Sequence, residues 1–230
     1  MRRSEVNRYI EEAMAFMKKN SFFLPGWAYW TPSKWQEMKA SCGEIFENSL
    51  GWDITDFGYG DFANTGLILV TLRNGNLNKP SKPYCEKIMY VRENQVTPLH
   101  YHVLKTEDII NRGGGVLCMK LWKSFDKPGS AGKSSELDKS PIVVKIDGVE
   151  TTVNAGEVVK IYPGQSICYF PYLYHTFWSE EGDSLIGEVS CVNDDNTDNV
   201  FLVDKGRYSS IEEDVEPTHL LCNEYFRFVI

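Results

Sequence analysis

The chain has 230 residues, 42% of them hydrophobic and 13% aromatic, enough to build one domain with a substantial core. A formal net charge of −8 with no block of Lys or Arg argues against nucleic acid or an acidic membrane surface as a partner. No apolar run reaches membrane-spanning length, and Met1-Arg-Arg-Ser-Glu-Val-Asn-Arg8 lacks the apolar stretch of a signal peptide, so a cytoplasmic protein is expected.

Val6, Tyr9, Ile10, Ala13, Phe16 and Met17 recur at helical spacing and predict a first helix, with Ser4 as its N-cap. Phe22-Phe-Leu-Pro-Gly-Trp-Ala-Tyr-Trp30 reads as an aromatic lid over the core. Thr31-Pro32 opens a second helix through Met38, with proline at its first helical position. From about residue 63 the pattern turns to β, with apolar or alternating runs bounded by turn residues. These runs cover residues 66–72, 84–92, 96–102, 115–122, 158–162, 166–170, 174–178, 185–191 and 201–203. Asp147-Gly148, between two alternating runs over 143–153, is a hairpin signal.

Residues 123–140 read as a polar loop, and 220–229 as an apolar segment of no decided type. Gly113-Gly-Gly115 reads as a tight barrel turn, because no Lys-Ser/Thr follows to make a phosphate loop. Many short strands with tight turns predict a mainly β sandwich or barrel. Residues 1–60 are expected to form a helical decoration on a barrel of residues 61–230, the whole being one structural domain. Six cysteines are scattered without a C-x-x-C, and Cys85, Cys118, Cys168 and Cys191 fall in apolar runs as expected buried thiols.

Half of the four histidines stand in Val96-Thr-Pro-Leu-His100-Tyr-His102, with Glu107 five residues on. Residues two apart on a strand share a face, so His100 and His102 present two imidazoles side by side. A carboxylate returning after a short turn completes a donor set suited to Mn, Fe, Ni or Zn. Two strand histidines are also found as surface groups or as satisfied core groups, and the pair alone does not decide between these readings.

The pattern His100-x-His102-x4-Glu107-x6-Gly114, followed by Pro171 and His175, resembles the two motifs of the cupin superfamily. The resemblance implies a jelly-roll barrel holding one metal on His100, His102, Glu107 and His175. Two positions depart from the pattern: Asn94 stands where a glycine usually opens the first motif, and Pro171-Tyr-Leu-Tyr-His175 lacks the glycine usual after the proline. Longer strings resemble the D-lyxose ketol-isomerase family. They include Glu86-Lys-Ile-Met-Tyr-Val, Thr97-Pro-Leu-His-Tyr-His, Gly187-Glu-Val-Ser, Val192-Asn-Asp-Asp-Asn-Thr-Asp-Asn199 and His219-Leu-Leu-Cys-Asn-Glu-Tyr225.

That resemblance implies interconversion of D-lyxose and D-xylulose, often also of D-mannose and D-fructose. Mn²⁺ is the favoured ion, with Co²⁺, Zn²⁺, Ni²⁺ or Fe²⁺ as alternatives. Barrel cupins commonly pair, so a homodimer is expected by analogy. An Fe²⁺ dioxygenase and a non-catalytic sugar-binding cupin are the rival readings.

A cis-enediol route calls for a base near C1 and C2 and a proton donor near O1 or O5. A hydride shift relies less on a carbon base and more on metal polarisation, and the sequence is compatible with both. Glu188 lies mid-strand in an otherwise small and apolar run, where a carboxylate is costly unless partnered. Burial is expected to raise its pKa toward that of a working base, a buried ion pair being the alternative. Lys87 shares a strand face with Cys85, Met89 and Val91, and Lys105 lies between His102 and Glu107. Either lysine serves as a proton donor or snorkels to solvent. Asp194 and Glu213 stand in acidic runs that read either as holding sugar hydroxyls or as solvated loops, and Arg207, a partner for either run, is the third candidate for substrate binding. No basic pocket motif is present, so an unphosphorylated sugar fits better than a sugar phosphate.

Overall fold

The computed structural model of the chain describes residues 1–79, 82–126, 136–195 and 197–230. Helix α1 (Arg3–Lys19) buries Val6, Ile10, Ala13 and Met17 as one stripe. It begins one residue before Ser4, so Ser4 is not its N-cap. Instead the Ser4 amide and hydroxyl donate to the Asp214 carboxylate at 2.9 and 2.6 Å, and the acceptor at this helix end comes from the far end of the chain. Helix α2 (Pro32–Met38) opens where expected, with the Thr31 hydroxyl accepting from the Lys34 amide at 3.4 Å. Short helices α3 (Gly43–Glu47) and α4 (Tyr225–Phe228) follow. The aromatic segment forms a 3-10 turn, Gly26–Tyr29, and Trp27 and Trp30 pack with Trp35, Leu220 and Tyr225 in a satellite cluster joining the two ends of the chain.

The strands are β1 (Gly51–Thr55), β2 (Leu67–Arg73), β3 (Tyr84–Val91), β4 (Thr97–His102), β5 (Glu107–Ser124) and β6 (Leu137–Asp138). They continue as β7 (Ile142–Ile146), β8 (Val149–Val153), β9 (Val158–Ile161), β10 (Ser166–Tyr169), β11 (Leu173–Cys191) and β12 (Asn199–Phe201). The order β1-β2-β3-β11-β5-β10-β7-β8 is antiparallel throughout; β4 joins β11 and β12, while β6 and β9 join β5. β1 lies within the segment 1–60, so that segment contributes a paired strand as well as helices. Of the expected polar loop, residues 123–124 end β5, 137–138 form β6, and 127–135 lie outside the described residues.

Burial on both faces explains the apolar run of β2. Leu67 and Leu69 face the barrel core with Met89 and Val91 of β3, while Ile68, Val70 and Leu72 pack in the cluster that covers α1. The hairpin at Asp147-Gly148 has positive φ at both residues (51° and 79°), the backbone its Asp-Gly pair favours.

The expected strands 174–178 and 185–191 are fused into β11, and the expected strand 115–122 is extended back to Glu107 as β5. β5 and β11 run for 18 and 19 residues and pair along both halves, with register shifts between Glu180 and Ser184 and between Leu185 and Ile186. The first half of β5 also pairs with β10 and its second half with β9, so the two long strands bend together to close the barrel. The glycine run is therefore a bend in one continuous strand, not a turn. At Gly114 (φ +91°) a Cβ would meet the Asp183 carbonyl oxygen at 2.2 Å, so only glycine permits this approach. All six cysteines are free; Cys85 and Cys118 are buried, but Cys191 is exposed because Ser190 takes the inward position at the end of β11.

Candidate active site

Strand alternation on β4 turns His100 and His102 into the barrel and Tyr101 outward, where its hydroxyl donates to Asp126 at 2.8 Å. β4 pairs with β11 so that His100 stands directly opposite His175, with ring centroids 4.2 Å apart. The three imidazoles are buried and offer ligand atoms that all lie within 4.8 Å of one another. The two departures from the motif keep the backbone the motif requires. Asn94 has φ +61° and Tyr172 φ +64°, both in the left-handed region where a glycine would be unstrained.

Hydrogen bonds to backbone carbonyls define two of the rings. Nδ1 of His100 lies 2.8 Å from the Pro98 oxygen and Nδ1 of His175 lies 3.0 Å from the Leu173 oxygen. A carbonyl only accepts, so Nδ1 carries the proton in both rings and Nε2 keeps its lone pair. Burial, reinforced by the neighbouring imidazoles, lowers the His100 pKa well below its usual value. Burial likewise pulls His175 down to about 4, against the opposing pull of Glu107. At neutral pH both rings are uncharged.

Glu107 Oε1 lies 3.4 Å from His175 Nε2 and 3.3 Å from His102 Nε2. Burial alone would raise the Glu107 pKa, but His102 and Lys105 outweigh it and hold the carboxyl well below its usual range. A lone pair on His175 thus faces an ionised oxygen. Two acceptors in contact are unfavourable, and a cation between them satisfies both. The donor set therefore fits a divalent metal.

Beside these groups runs a chain of buried charges. Lys105 Nζ is 2.9 Å from Glu107 Oε2 and 2.9 Å from Glu188 Oε1. Lys87, the cross-strand partner of Glu188 between β3 and β11, has Nζ 3.3 Å from the same Oε1. The Ser190 hydroxyl donates to it as well, at 3.0 Å. Burial pushes Glu188 up, yet Lys105 and Lys87 more than offset this and leave its pKa below the usual value. The expected rise toward a poised neutral-pH base is thus reversed. The same carboxylates outweigh the cost of burying Lys105, which stays charged with its pKa well above the usual value.

Lys87, Lys105, Glu188 and Arg207 line one cavity together with the three histidines and Glu107. Its lining also includes the apolar side chains of Phe57, Leu69, Met89, Phe177 and Phe201, with the Phe201 ring stacked on His100 at 5.2 Å. Arg207 bonds Asp53 at 2.5 Å and Asp195 at 3.1 Å, and burial of the Asp195 carboxyl is overcome by Arg207 and Lys87, which hold it well below its usual range. Four buried polar atoms of the cavity lining have no hydrogen-bond partner among the described residues: Thr97 Oγ1, His102 Nδ1, Asn199 Oδ1 and Arg207 Nη1.

Two expected site residues are elsewhere. Asp194 lines an adjacent cleft and accepts from the Thr197 hydroxyl at 2.7 Å, because the chain turns there and directs Asp195 inward instead. Glu213 lies outside the cavity, where Arg3 and Arg227 take its carboxylate at 2.8 and 2.7 Å; it joins the chain ends. Asp195, Thr97 and Asn199 are cavity residues that sequence reasoning missed. Asp195 and Asn199 belong to the Val192–Asn199 string already quoted, but nothing local distinguishes them from a solvated loop.

The family model for D-lyxose isomerase matches residues 1–225. A D-lyxose/D-mannose isomerase of Serratia proteamaculans is 46% identical over 234 residues, spanning 100% of both chains. A D-lyxose/D-mannose isomerase of Escherichia coli O157:H7 is 45% identical, over 99% of this chain and 100% of that one. Among solved structures, an L-ribose isomerase of Acinetobacter sp. DL28 in complex with L-ribose superposes with a TM-score of 0.60 at 15% identity, covering 92% of this chain and 98% of that one. An L-ribose isomerase of Cellulomonas parahominis gives 0.59 at 17% identity with the same coverage. These two share the cupin-like fold described above. The match along nearly the whole length, at identity well beyond fold-level likeness, means that the chain belongs to the D-lyxose isomerase family of sugar isomerases.

Proposed function

We propose that the chain is a divalent-metal-dependent aldose–ketose isomerase that interconverts D-lyxose and D-xylulose, and D-mannose and D-fructose. The observation that carries this reading is the confrontation of His175 Nε2 with Glu107 Oε1 in a cavity that also holds the Lys105–Glu188–Lys87 chain. The names of the two relatives support the choice of sugars. His100, His102, His175 and Glu107 are the proposed ligands and Mn²⁺ the proposed ion, with Co²⁺, Zn²⁺, Ni²⁺ or Fe²⁺ compatible with the same donors. Such an ion, when bound, supplies Lewis-acid polarisation of two adjacent sugar oxygens.

The remaining work falls to the chain's own side chains. Glu188 is held as a carboxylate and takes a proton from the sugar at C1 or C2, returning it to the other carbon. Lys105 and Lys87 stabilise that anion between turnovers, and Lys105 donates toward a sugar oxygen. Thr97 Oγ1, Asn199 Oδ1 and Arg207 Nη1 accept and donate to hydroxyls farther along the sugar, which would satisfy three atoms otherwise left without partners. The apolar side chains of Phe57, Phe177 and Phe201 exclude water and so limit exchange of the moving proton. A homodimer located in the cytoplasm completes the proposal.

The test is a chelator-stripped preparation supplied anaerobically with Mn²⁺ and D-lyxose, with D-xylulose followed over time. Metal-restored ketose formation without oxygen is the expected result. Turnover that needs Fe²⁺ and consumes O₂ would establish a dioxygenase instead. Sugar binding without turnover, with every divalent ion tried, would leave a binding protein.

A further inference from the structure

Asn193 does not line the sugar cavity, yet it touches both lysines that flank Glu188. Its side-chain oxygen accepts from Lys87 Nζ at 2.7 Å and from Lys105 Nζ at 3.3 Å. A lysine ammonium is a point charge on a flexible four-carbon stem, so its direction is set by its acceptors. A neutral amide oxygen fixes that direction without adding a further anion to the site.

Asn193 is itself clasped. Asn74, buried just beyond the end of β2, accepts from the Asn193 amide at 3.0 Å through Oδ1 and donates to the Asn193 carbonyl at 2.9 Å through Nδ2. One side-chain amide thus pairs with both backbone groups of a residue 119 positions away, as a neighbouring strand would. The rest of Asn74 is also committed. Its Oδ1 accepts from Gly75 at 3.0 Å, its Nδ2 donates to the Asn48 carbonyl at 3.3 Å, and the Asn48 amide returns a bond to the Asn74 carbonyl at 3.0 Å.

Asn193 also lines a polar cleft together with Thr71, Asp194 and Asp195. Asp195 lines both spaces, so the segment 193–195 is the wall between them.

We propose that Asn193, clasped by Asn74, is a positioning residue that aims Lys87 and Lys105 at Glu188. Neither asparagine lines the sugar cavity. The proposal rests on the reading that Glu188 and Lys105 act on the substrate, and its consequences are separable from that reading.

The experiment compares Mn²⁺-loaded wild type, Asn74→Ala, Asn193→Ala and the double variant for kcat and KM on D-lyxose. Asn193→Ala is expected to lower kcat on the order of 10- to 100-fold with KM little changed, because misplacing a reacting group acts on the chemical step. Asn74→Ala lowers kcat less, and the double variant is no slower than Asn193→Ala alone, because one residue acts through the other. Losses that multiply in the double variant, or wild-type kcat in Asn74→Ala, overturn the proposal. Asn74→Asp keeps the acceptor and loses the donor; it falls between wild type and alanine, and it stands in if the alanine variant does not fold. A crystal structure of either Asn74 variant supplies a readout independent of turnover. The bond from Lys87 to Asn193 Oδ1 is expected to be lost there, and finding it at its native length overturns the clasp. Wild type inactive on every sugar would defeat the functional reading alone, since the crystallographic result still decides the positioning role.

Discussion

Lys105 Nζ stands 2.9 Å from Glu188 Oε1, with both side chains withdrawn from solvent. The ion pair keeps the carboxylate charged inside a barrel that would otherwise neutralise it. A base held in this way is ready without a prior deprotonation, and its lysine partner is within reach of the same substrate.

Glu188→Gln preserves shape and removes proton acceptance. It is expected to lower kcat on D-lyxose by roughly 10²- to 10⁴-fold while bound metal, measured by elemental analysis, stays at the wild-type level. Unchanged kcat would remove Glu188 from the mechanism.

Lys105→Met leaves Glu107 and Glu188 buried near each other without their shared cation. Breaking a buried pair in this manner typically costs about 3–5 kcal/mol, so the melting temperature of the metal-free protein should fall clearly. A melting curve matching wild type would show that the charge chain carries little of the fold's stability.

Acid should destabilise the metal-free protein in a definable window. His175 has a folded pKa of about 4 against an ordinary value of 6.5, so between these the unfolded chain binds a proton that the folded chain refuses. Stability is fully present above 6.5 and is lost as pH falls toward 4. His100 shifts in the same direction, and Glu107 and Glu188, both depressed, add further loss as pH drops below the ordinary carboxylate range. Urea midpoints measured at pH 7 and pH 5 check this; equal midpoints would contradict it.

Replacing His175 by Ala removes one of the four proposed metal donors. Added Mn²⁺ should raise the melting temperature of wild type, as any ligand of the folded state does, and should not raise that of His175→Ala. Equal shifts in the two proteins would place the ion elsewhere.

Tyr172 occupies φ +64° where only glycine is free of strain. Tyr172→Gly and Tyr172→Ala both lose the ring contact with Tyr101, so they differ mainly in backbone cost. The glycine variant should be the more stable of the two by about 1 kcal/mol, read from denaturant unfolding.

Local patterns made much of the molecule legible. Alternation on 96–102 put His100 and His102 on one face, the Asp-Gly pair marked its hairpin, and Thr31-Pro32 marked the start of α2. The glycine run misled, because a tight turn and a bend within one strand use the same residue, and only the pairing partner distinguishes them. The 51–55 strand was missed in a segment whose neighbours are helical. Glu213 and Asp194 were indistinguishable by type from Asp195, and only Asp195 faces the cavity.

The sequence by itself determined the family, through its motif strings, and the placement of His100 and His102 on one strand face, since residue type and period-two alternation are local properties of the chain. The tertiary structure decided which charges meet. Lys87 comes from β3, Lys105 from the link before β5, and Glu188 from β11, and the sheet register that sets them side by side depends on the whole barrel closing. That meeting reversed the expected direction of the Glu188 pKa. Burial is a property that a single residue carries with it, but the Coulomb interaction that outweighs burial exists only between neighbours brought together by the fold.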